Sequence, residues 1–511
     1  MSAEVTLTGG EPVASADGQE SEGRRVFKNA ALLGAGHSLR FVMGFATTIL
    51  ITDQLGTDYG LLIGAQRYVD FFRLIMLFGF NTLLIRGLAG REENAGELLG
   101  SVVTLRALLG VVFAVVAAGS AIASGYLPEH RWLLWVFVAV AWGYVGVETM
   151  TGYCEGYERM DRTAPLPVTR SLLMFGGAVT VSWLGGGIEG IACVFLFTQF
   201  LQLGFIIALS RKLLVGVRIR ARRSKMGTLL REGPHYMAVG FAYVTLRSMS
   251  VMMLTRFAPT AEAAMYGAAL NFVDLLFMLP MLAQRAFLPV FSRTGDRSNA
   301  AAIGANGVYA FSFVLMPAAA GLAMLSESAV ALYPSGEFGE AAPVLQVLAL
   351  GIACTCMNSV CATYLTGQGR VNAILRAYAV ALPVQAALCW MWIGSDGAVG
   401  VARGTVCAQV ILCIGIVGTA QRNGLRLPWI GVGRHLLAAG LMALALAPIR
   451  ELFFPIPVAS GVLVYAGVLL VICPAKSFER TIGAALVAKA RSGLGLRKES
   501  PAGNDDRDAR R

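Results

Sequence analysis

The sequence predicts an all-α polytopic membrane protein with about 14 transmembrane helices, in two pseudo-symmetric six-helix lobes plus two C-terminal helices. Three observations predict this fold: an apolar composition, a succession of apolar segments of membrane-spanning length, and an internal repeat. Of 511 residues, 56% are hydrophobic and 14% are charged, and the mean hydropathy is +0.64. Soluble proteins carry about 25% charged residues. The composition therefore excludes a water-soluble enzyme, a disordered protein and a repeat solenoid.

The two ends of the chain differ from this apolar block. Residues 1–24 are acidic and contain no apolar run, so we expect a disordered cytoplasmic tail and no cleavable signal peptide. Residues 475–511 form a basic cytoplasmic tail, which fits an amphipathic helix on an anionic leaflet and a frayed tail equally well. The net charge of +11 does not indicate nucleic-acid binding, because the arginines lie between apolar segments.

The apolar segments between the tails are the predicted spans. A helix needs about 20 residues to cross about 30 Å of hydrocarbon. Cutting the chain at polar or Gly/Pro breaks gives segments near 26–51, 60–85, 99–123, 132–154, 164–184, 187–210, 234–256, 265–289, 303–324, 342–366, 371–393, 396–419, 430–449 and 456–474. The predicted domains are an N-lobe (25–210), a basic cytoplasmic linker (211–232), a C-lobe (233–420) and the last two spans (421–474).

The charges between the spans predict the topology. Lys and Arg mark cytoplasmic loops because positive segments resist translocation. The linker holds eight basic residues before its first acid, Glu232, and the other even-numbered spans are also followed by arginines. The segments after odd-numbered spans contain no Lys or Arg: 52–58, 124–130, 185–190, 258–264, 325–342 and 394–398. This pattern predicts a multi-pass membrane protein with both termini in the cytoplasm.

The repeat appears when the sequence is shifted by 207 residues against itself. Arg40 then falls on Arg247, Tyr59-Gly60 on Tyr266-Gly267, and Arg67 on Asp274. Because each unit contains an even number of spans, both units enter the membrane in the same sense. Such units are related by an axis along the membrane normal, as in transporters with parallel repeats.

Several charges lie inside the predicted spans, where an Arg costs about 2.5–3.5 kcal/mol on insertion scales. Arg106, Arg285 and Arg376 lie near span ends and can extend to the interface without any function. Arg40, Arg73 and Arg247 lie too deep for that explanation. Other candidate polar residues in these spans are Arg67, Asp70, Tyr243, Asn271 and Asp274.

Two interpretations of these charges remain open. In the first, the pairs Arg67–Asp70, Arg247–Asp274 and Glu148–Arg170 hold helices together. In the second, a hydrated cavity between the lobes carries excess positive charge. Guanidinium groups bind phosphate oxygens in bidentate fashion, so Arg40, Arg73 and Arg247 would bind a phosphate or diphosphate group in this cavity. The residues that would line the cavity or couple a cation are Arg67, Asp70, Asp274, Asn271 and Tyr243.

No other chemistry is indicated. The four histidines are isolated, no Cys-x-x-Cys pair occurs among the nine cysteines, and no phosphate loop of the GxxxxGK[ST] type is present. We therefore expect no metal, no cofactor and no enzyme activity.

Two stretches carry a family resemblance. Residues 55–89 (LGTDYGLLIGAQRYVDFFRLIMLFGFNTLLIRGLA) and 263–293 (AAMYGAALNFVDLLFMLPMLAQRAFLPVFSR) resemble the second and eighth spans of Wzx-type lipid-linked oligosaccharide flippases. These flippases belong to the multidrug/oligosaccharidyl-lipid/polysaccharide exporter superfamily. The resemblance implies two six-helix lobes around a central cationic cavity, with two extra C-terminal helices, in the bacterial inner membrane.

The leading functional hypothesis combines the charges with this resemblance: the chain flips a polyprenyl-diphosphate-linked oligosaccharide across the cytoplasmic membrane for polysaccharide export, by alternating access. Its expected partners are this substrate, membrane lipids and the polymerase and glycosyltransferases of the pathway. Two alternatives remain, a cation-coupled multidrug antiporter that uses Asp70 or Asp274, and a membrane scaffold for a polysaccharide synthase complex.

Overall fold

The computed structural model describes residues 43–89, 95–157, 159–215, 217–293, 297–449 and 455–472, and the regular elements in these ranges are helices. They are α1 (43–55), α2 (Tyr59–Leu77), α3 (Phe80–Ala89), α4 (Ala95–Ser124), α5 (Arg131–Gly156), α6 (Met160–Thr163), α7 (Leu166–Trp183), α8 (Ile188–Leu214), α9 (Arg223–Phe257), α10 (Thr260–Arg293), α11 (Arg297–Met324), α12 (Ser326–Val330), α13 (Ala341–Gly367), α14 (Val371–Arg422), α15 (Trp429–Leu446) and α16 (Pro455–Ile472). The predicted all-α class is confirmed. Both predicted tails and Arg40 lie outside the described residues.

The predicted spans coincide, wholly or in part, with these helices. Within the described ranges, ten helical stretches are long and apolar enough to cross a membrane. Two of them hold two predicted spans each: Met43–Ile85, which runs from α1 through α3, and Val371–Arg422, which is α14. The ten stretches therefore account for twelve predicted spans, and α10 and α16 correspond to the eighth and fourteenth.

Backbone breaks separate the spans that share one stretch. A turn of 3-10 helix at Gly56–Asp58 joins α1 to α2, and α14 is interrupted at Gly397 (φ 53°, ψ −129°). A further break lies within the second predicted span, where Phe78 and Gly79 have φ of 40° and 73°. This span therefore consists of two helices, α2 and α3, where the hydropathy pattern predicts one.

Small residues let the two lobes approach closely. Helix α2 of the N-lobe packs against α9 and α10 of the C-lobe. A Cβ atom at Gly60 would lie 2.2 Å from the carbonyl oxygen of Thr260, and one at Gly64 would lie 2.5 Å from the hydroxyl of Thr255. Replacing either glycine would force these helices apart. The buried apolar residues around this contact form the largest core of the described chain, which includes residues of both lobes.

Contacts at one end of the bundle join segments that the charge pattern predicts on the exterior side. Five such contacts are Gln54 Nε2 to Gly186 O (2.7 Å), Ser335 N to Asp53 Oδ1 (2.7 Å), Arg256 Nε to Ser124 O (2.5 Å), Ala398 N to Glu262 Oε2 (2.6 Å), and Glu337 packed against Gly56. Two of these, Ser335–Asp53 and Arg256–Ser124, are hydrogen bonds between the two lobes. The lobes are therefore closed against each other at this end.

Candidate functional site

The deep charges of both lobes meet where α2, α9 and α10 pack together. Asp274 on α10 pairs with two guanidinium groups, Arg67 on α2 at 3.3 Å and Arg247 on α9. At 1.5 Å per residue, these three residues lie about 12 to 21 Å from the helix ends at Tyr59, Phe257 and Thr260. Because the hydrocarbon core is about 30 Å thick, this places the cluster near mid-membrane.

The pairing joins positions that the repeat makes equivalent. Arg67 and Asp274 are separated by 207 residues, which is the repeat offset. Residues related by a two-fold axis meet only when they lie close to that axis. The Arg67–Asp274 pair therefore marks the pseudo-symmetry axis between the lobes, and Arg247 adds a second positive charge on the C-lobe side.

The cluster borders an open space. The side chain of Asp274 is 35% exposed, and those of Arg67 and Arg247 are 21% and 19% exposed. The guanidinium of Arg247 lies 4.8 Å from the ring of Phe277 and 6.0 Å from that of Tyr243. Partial exposure at mid-depth is suited to a water-filled space, since charges facing lipid would be costly.

A second ion pair lies one to two turns farther along α2. Arg73 contacts Asp70 at 2.7 Å and lies over the ring of Tyr144, 4.0 Å from its centroid. The predicted Arg67–Asp70 pair is wrong, because Arg67 reaches across to Asp274 and Asp70 is taken by Arg73. Over these five groups, three guanidiniums and two carboxylates leave a net charge of +1.

Of the other two predicted pairs, Arg247–Asp274 is present and Glu148–Arg170 is not found among the described side chains. Glu148 accepts a hydrogen bond from Asn81 at 3.4 Å. The orphan amide oxygen of Asn81 fits against Gly152, where a Cβ would lie 2.0 Å from it. This places a polar contact between α3 and α5, just beyond the break in the second span.

The predicted explanation of Arg106 is also wrong. Its side chain does not extend to the interface but is 3% exposed, and it donates to the carbonyl of Val145 (3.3 Å) and to the hydroxyl of Thr149. Its Nε and second terminal nitrogen have no hydrogen-bond partner within the described part of the chain. Arg106 therefore links α4 to α5 inside the N-lobe. The side chain of Arg285 is not described.

Asn271 forms hydrogen bonds between the lobes on the side of the ion cluster that the charge pattern predicts to be exterior. It accepts a hydrogen bond from Tyr59 (3.1 Å) and donates to Thr52 (3.0 Å) and to Tyr333 (3.2 Å). Thr52 and Tyr59 belong to the N-lobe, whereas Asn271 and Tyr333 belong to the C-lobe. Since Asn271 and Asp274 lie one turn apart on α10, a movement of the helix that displaces one of them also displaces the other.

An apolar cavity of about 630 Å³ lies on another face of α10, and its lining includes none of Arg67, Arg247, Asn271 and Asp274. Phe272, Leu275 and Leu276 of α10 line one wall, directly beside Asn271 and Asp274 in the chain. Residues of α11, α15 and α16 line the opposite walls. The sequence did not predict this cavity, because hydropathy does not distinguish lipid-facing from cavity-facing apolar residues.

Comparison with known proteins supplies the family. Residues 26–295 match the family of polysaccharide biosynthesis proteins. The chain belongs to this family. A comparison with curated protein sequences finds no match.

Solved structures with the same fold are transporters. A structure of the lipid II flippase MurJ in an inward closed conformation is 14% identical, with a TM-score of 0.72 over 88% of this chain and 99% of that one. An inward-facing multidrug resistance MATE family transporter of the MOP superfamily is 16% identical (TM-score 0.59; 75% and 94%). A MOP superfamily transporter from Pyrococcus furiosus is 15% identical (TM-score 0.52; 76% and 93%).

This member of the polysaccharide biosynthesis family thus has the multi-pass fold of MOP transporters, in agreement with the predicted Wzx-type resemblance. Among the described residues, the fold brings together Arg67, Arg247, Asn271 and Asp274 where α2, α9 and α10 meet, a region named here the seam. The ring of Tyr243 lies 6.0 Å from the guanidinium of Arg247. Asp70 and Arg73 form a separate pair farther along α2.

Proposed function

We propose that the protein is a flippase for a polyprenyl-diphosphate-linked oligosaccharide. The observation that carries the proposal is the shared carboxylate of Asp274 between Arg67 and Arg247 at mid-membrane. A diphosphate carries the same kind of charge as Asp274 and has more oxygen acceptors. The substrate's headgroup would therefore replace Asp274 on the two guanidinium groups.

The apolar cavity supports a lipid-linked substrate and not a free sugar phosphate. Its polar lining is minimal, and the residues of α10 that line it, Phe272, Leu275 and Leu276, lie on a different face of that helix from Asp274. A polyprenyl chain would occupy this cavity while its diphosphate is held by the arginines. Arg73 and Arg40 would complete the cationic surface, Arg40 being the sequence equivalent of Arg247 in the first repeat unit.

Transport would then follow alternating access between the lobes. The exterior end is closed by contacts between the lobes, including the hydrogen bonds of Asn271. Loss of these contacts and formation of others at the opposite end would expose the same arginines outward. An interior-negative potential favours outward movement of an anion by about 2.3 kcal/mol per charge per 100 mV, so a doubly charged diphosphate gains on the order of 4–5 kcal/mol.

Cation-coupled drug antiport is less well supported. An acidic coupling residue must be free to bind a proton or a sodium ion, yet Asp70 and Asp274 each contact guanidinium groups. An Arg partner favours the ionised carboxylate and competes with any other cation. The described arrangement therefore favours an anionic substrate.

The test replaces single arginines in cells that depend on this chain for surface polysaccharide. Arg67→Gln and Arg247→Gln each leave Asp274 with one cationic partner, so folding should be preserved. We expect either variant to lose most surface polysaccharide at normal protein level. Arg403→Gln is the matched control, because it removes the same charge from an exposed Arg paired with Asp396 (2.7 Å). Normal export by both seam variants would overturn the proposal.

A binding assay separates substrate chemistry from transport. Purified protein is titrated with polyprenyl diphosphate and with polyprenyl monophosphate. Tighter binding of the diphosphate, weakened in Arg247→Gln and unchanged in Arg403→Gln, is the expected result. Equal binding of both lipids by all three proteins would show that the seam does not recognise the headgroup.

A further inference from the structure

The segment that joins the two lobes is an ordered basic surface. Residues 217–222, named here the linker strap, run between the end of α8 at Leu214 and the start of α9 at Arg223. Residues 211–231 contain eight Lys or Arg and no acid: Arg211, Lys212, Arg218, Arg220, Arg222, Arg223, Lys225 and Arg231. The side chains of Arg218, Arg220, Arg222 and Arg223 are exposed.

The strap is fixed to the N-terminal turns of α4. The amide of Arg220 donates to Gly96 O at 3.3 Å, and that of Arg222 to the hydroxyl of Ser101 at 3.1 Å. Arg222 also pairs with Glu97 at 3.1 Å. A Cβ at Gly100 would lie 2.6–2.7 Å from the backbone of Arg220, so only glycine lets the strap lie this close.

This attachment uses the side chain of one strap arginine and leaves the others exposed. Arg222 is used by Glu97, whereas Arg218, Arg220 and Arg223 point away from the bundle as exposed groups. Exposed apolar side chains lie among them: Ile219 is 56% exposed, and Val215, at the end of α8, is 80% exposed. Basic and apolar groups side by side are typical of segments that lie in a membrane interface.

The position of the strap matches this chemistry. Helix α4 begins and α8 ends beside it, so it lies at the level where these two apolar helices leave the hydrocarbon, whereas the apolar stretch of α9 begins only at Met237. Juxtamembrane basic clusters attract anionic lipid headgroups, with each Lys or Arg contributing to the binding. Apolar residues at the same level gain by entering the headgroup–acyl boundary.

We propose that the linker strap is a binding site for anionic phospholipid headgroups. Arg218, Arg220 and Arg223 contact the lipid phosphates, and Val215 and Ile219 insert beside them. The occupant is a lipid surface and not an acidic protein or a nucleic acid, because exposed apolar side chains lie beside the charges at the level where α4 and α8 leave the hydrocarbon. This site is separate from the substrate seam between α2, α9 and α10.

The test measures lipid retained by the intact protein. Wild-type protein is purified in mixed micelles of phosphatidylcholine and phosphatidylglycerol, and bound lipid is counted by native mass spectrometry. We expect preferential retention of phosphatidylglycerol, reduced several-fold in the triple variant Arg218→Gln, Arg220→Gln, Arg223→Gln. The matched control Arg370→Gln, Arg422→Gln, Arg426→Gln removes three exposed arginines from the predicted cytoplasmic end of the C-lobe and should retain the wild-type amount.

Two further measurements keep the proposal falsifiable if the triple variant folds poorly. Retention by the wild-type protein should fall as salt rises, since the Debye length shortens from about 8 Å at physiological ionic strength to about 3 Å at 1 M. Val215→Ser with Ile219→Ser should lower retention without a change in charge. Equal loss of lipid in the strap variant and its matched control would overturn the proposal, and so would unchanged retention in the serine variant. Capture of an acidic protein with no preference for phosphatidylglycerol would also overturn it.

Discussion

At the scale of single residues, Asp274 is the group on which the proposed site depends. It is the only carboxylate in contact with Arg67 and Arg247 among the described side chains, and it holds both in place when no substrate is bound. A diphosphate that binds these arginines must first displace it. Asp274 therefore limits affinity and, for the same reason, assists release.

Asp274→Asn tests this role. Charge-assisted hydrogen bonds contribute about 1.5–3 kcal/mol each, so removing the competing charge should tighten binding of polyprenyl diphosphate roughly tenfold to a hundredfold. Transport should fall because the headgroup is no longer displaced. Binding is measured by titration of purified protein and transport by surface polysaccharide. Weaker binding by the variant would show that Asp274 positions the arginines and does not compete with substrate.

At the scale of helices, the glycines of α2 control how closely the lobes meet at the exterior end. Gly64→Val places new carbon atoms where Thr255 lies, with Cβ already 2.5 Å from its hydroxyl. The exterior contact should open and transport should be lost. The opening is measured with Thr260→Cys in a background without native cysteines. Labelling of this cysteine by a membrane-impermeant maleimide should increase when Gly64→Val is added. Gly240→Val on α9 is the control, since nothing lies within 4 Å of its added Cβ, and unchanged labelling in both variants would contradict this account.

The break in α14 also depends on one glycine. Gly397 has φ 53° and ψ −129°, and a Cβ there would lie 2.5 Å from the carboxylate of Glu262, which accepts the amide of Ala398. Gly397→Ala should destabilise the protein by about 1–3 kcal/mol, seen as a lower thermal midpoint in detergent. Gly394→Ala, three residues earlier with open space around its Cβ, should instead stabilise by about 0.5–1 kcal/mol. A shift of the same sign in both variants would contradict the role of the break.

The sequence predicted the helices better than their interruptions. Hydropathy located the spans because apolar length is dictated by the membrane, and the Lys/Arg pattern grouped the segments that later met at one end. Neither pattern could predict the break at Phe78-Gly79, since both residues are compatible with an apolar helix. Nor could it place Arg106, whose burial depends on the carbonyl of Val145 and the hydroxyl of Thr149 on another helix.

The candidate site was predicted in part for the same reason. The repeat offset aligned Arg67 with Asp274, and these two residues form an ion pair in the structure. The spacing of three residues along α2 instead favoured Asp70 as the partner of Arg67. The choice depends on which face of α2 turns toward the C-lobe. Only the packing of Gly60 and Gly64 against α10 and α9 decides that face.

At the scale of the whole molecule, the two predicted repeat units differ in charge where they meet. The C-lobe places an acid, Asp274, beside Arg247, whereas the N-lobe has Arg67 at the equivalent position. Pseudo-symmetric lobes can exchange roles during alternating access, and a sign difference at the axis gives them a fixed attraction. The pair thus holds the lobes together without fixing which end of the bundle is open.

The charge swap Arg67→Asp with Asp274→Arg tests this attraction. Each single change places like charges opposite each other at the axis and should abolish transport. The double variant restores an opposite pair, and the acid then belongs to the N-lobe, whose Arg40 matches Arg247 in the repeat. We therefore expect the double variant to recover a substantial part of surface polysaccharide export at normal protein level. A double variant as inactive as the singles would show that the orientation of the pair matters, and that the two lobes cannot exchange roles at this position.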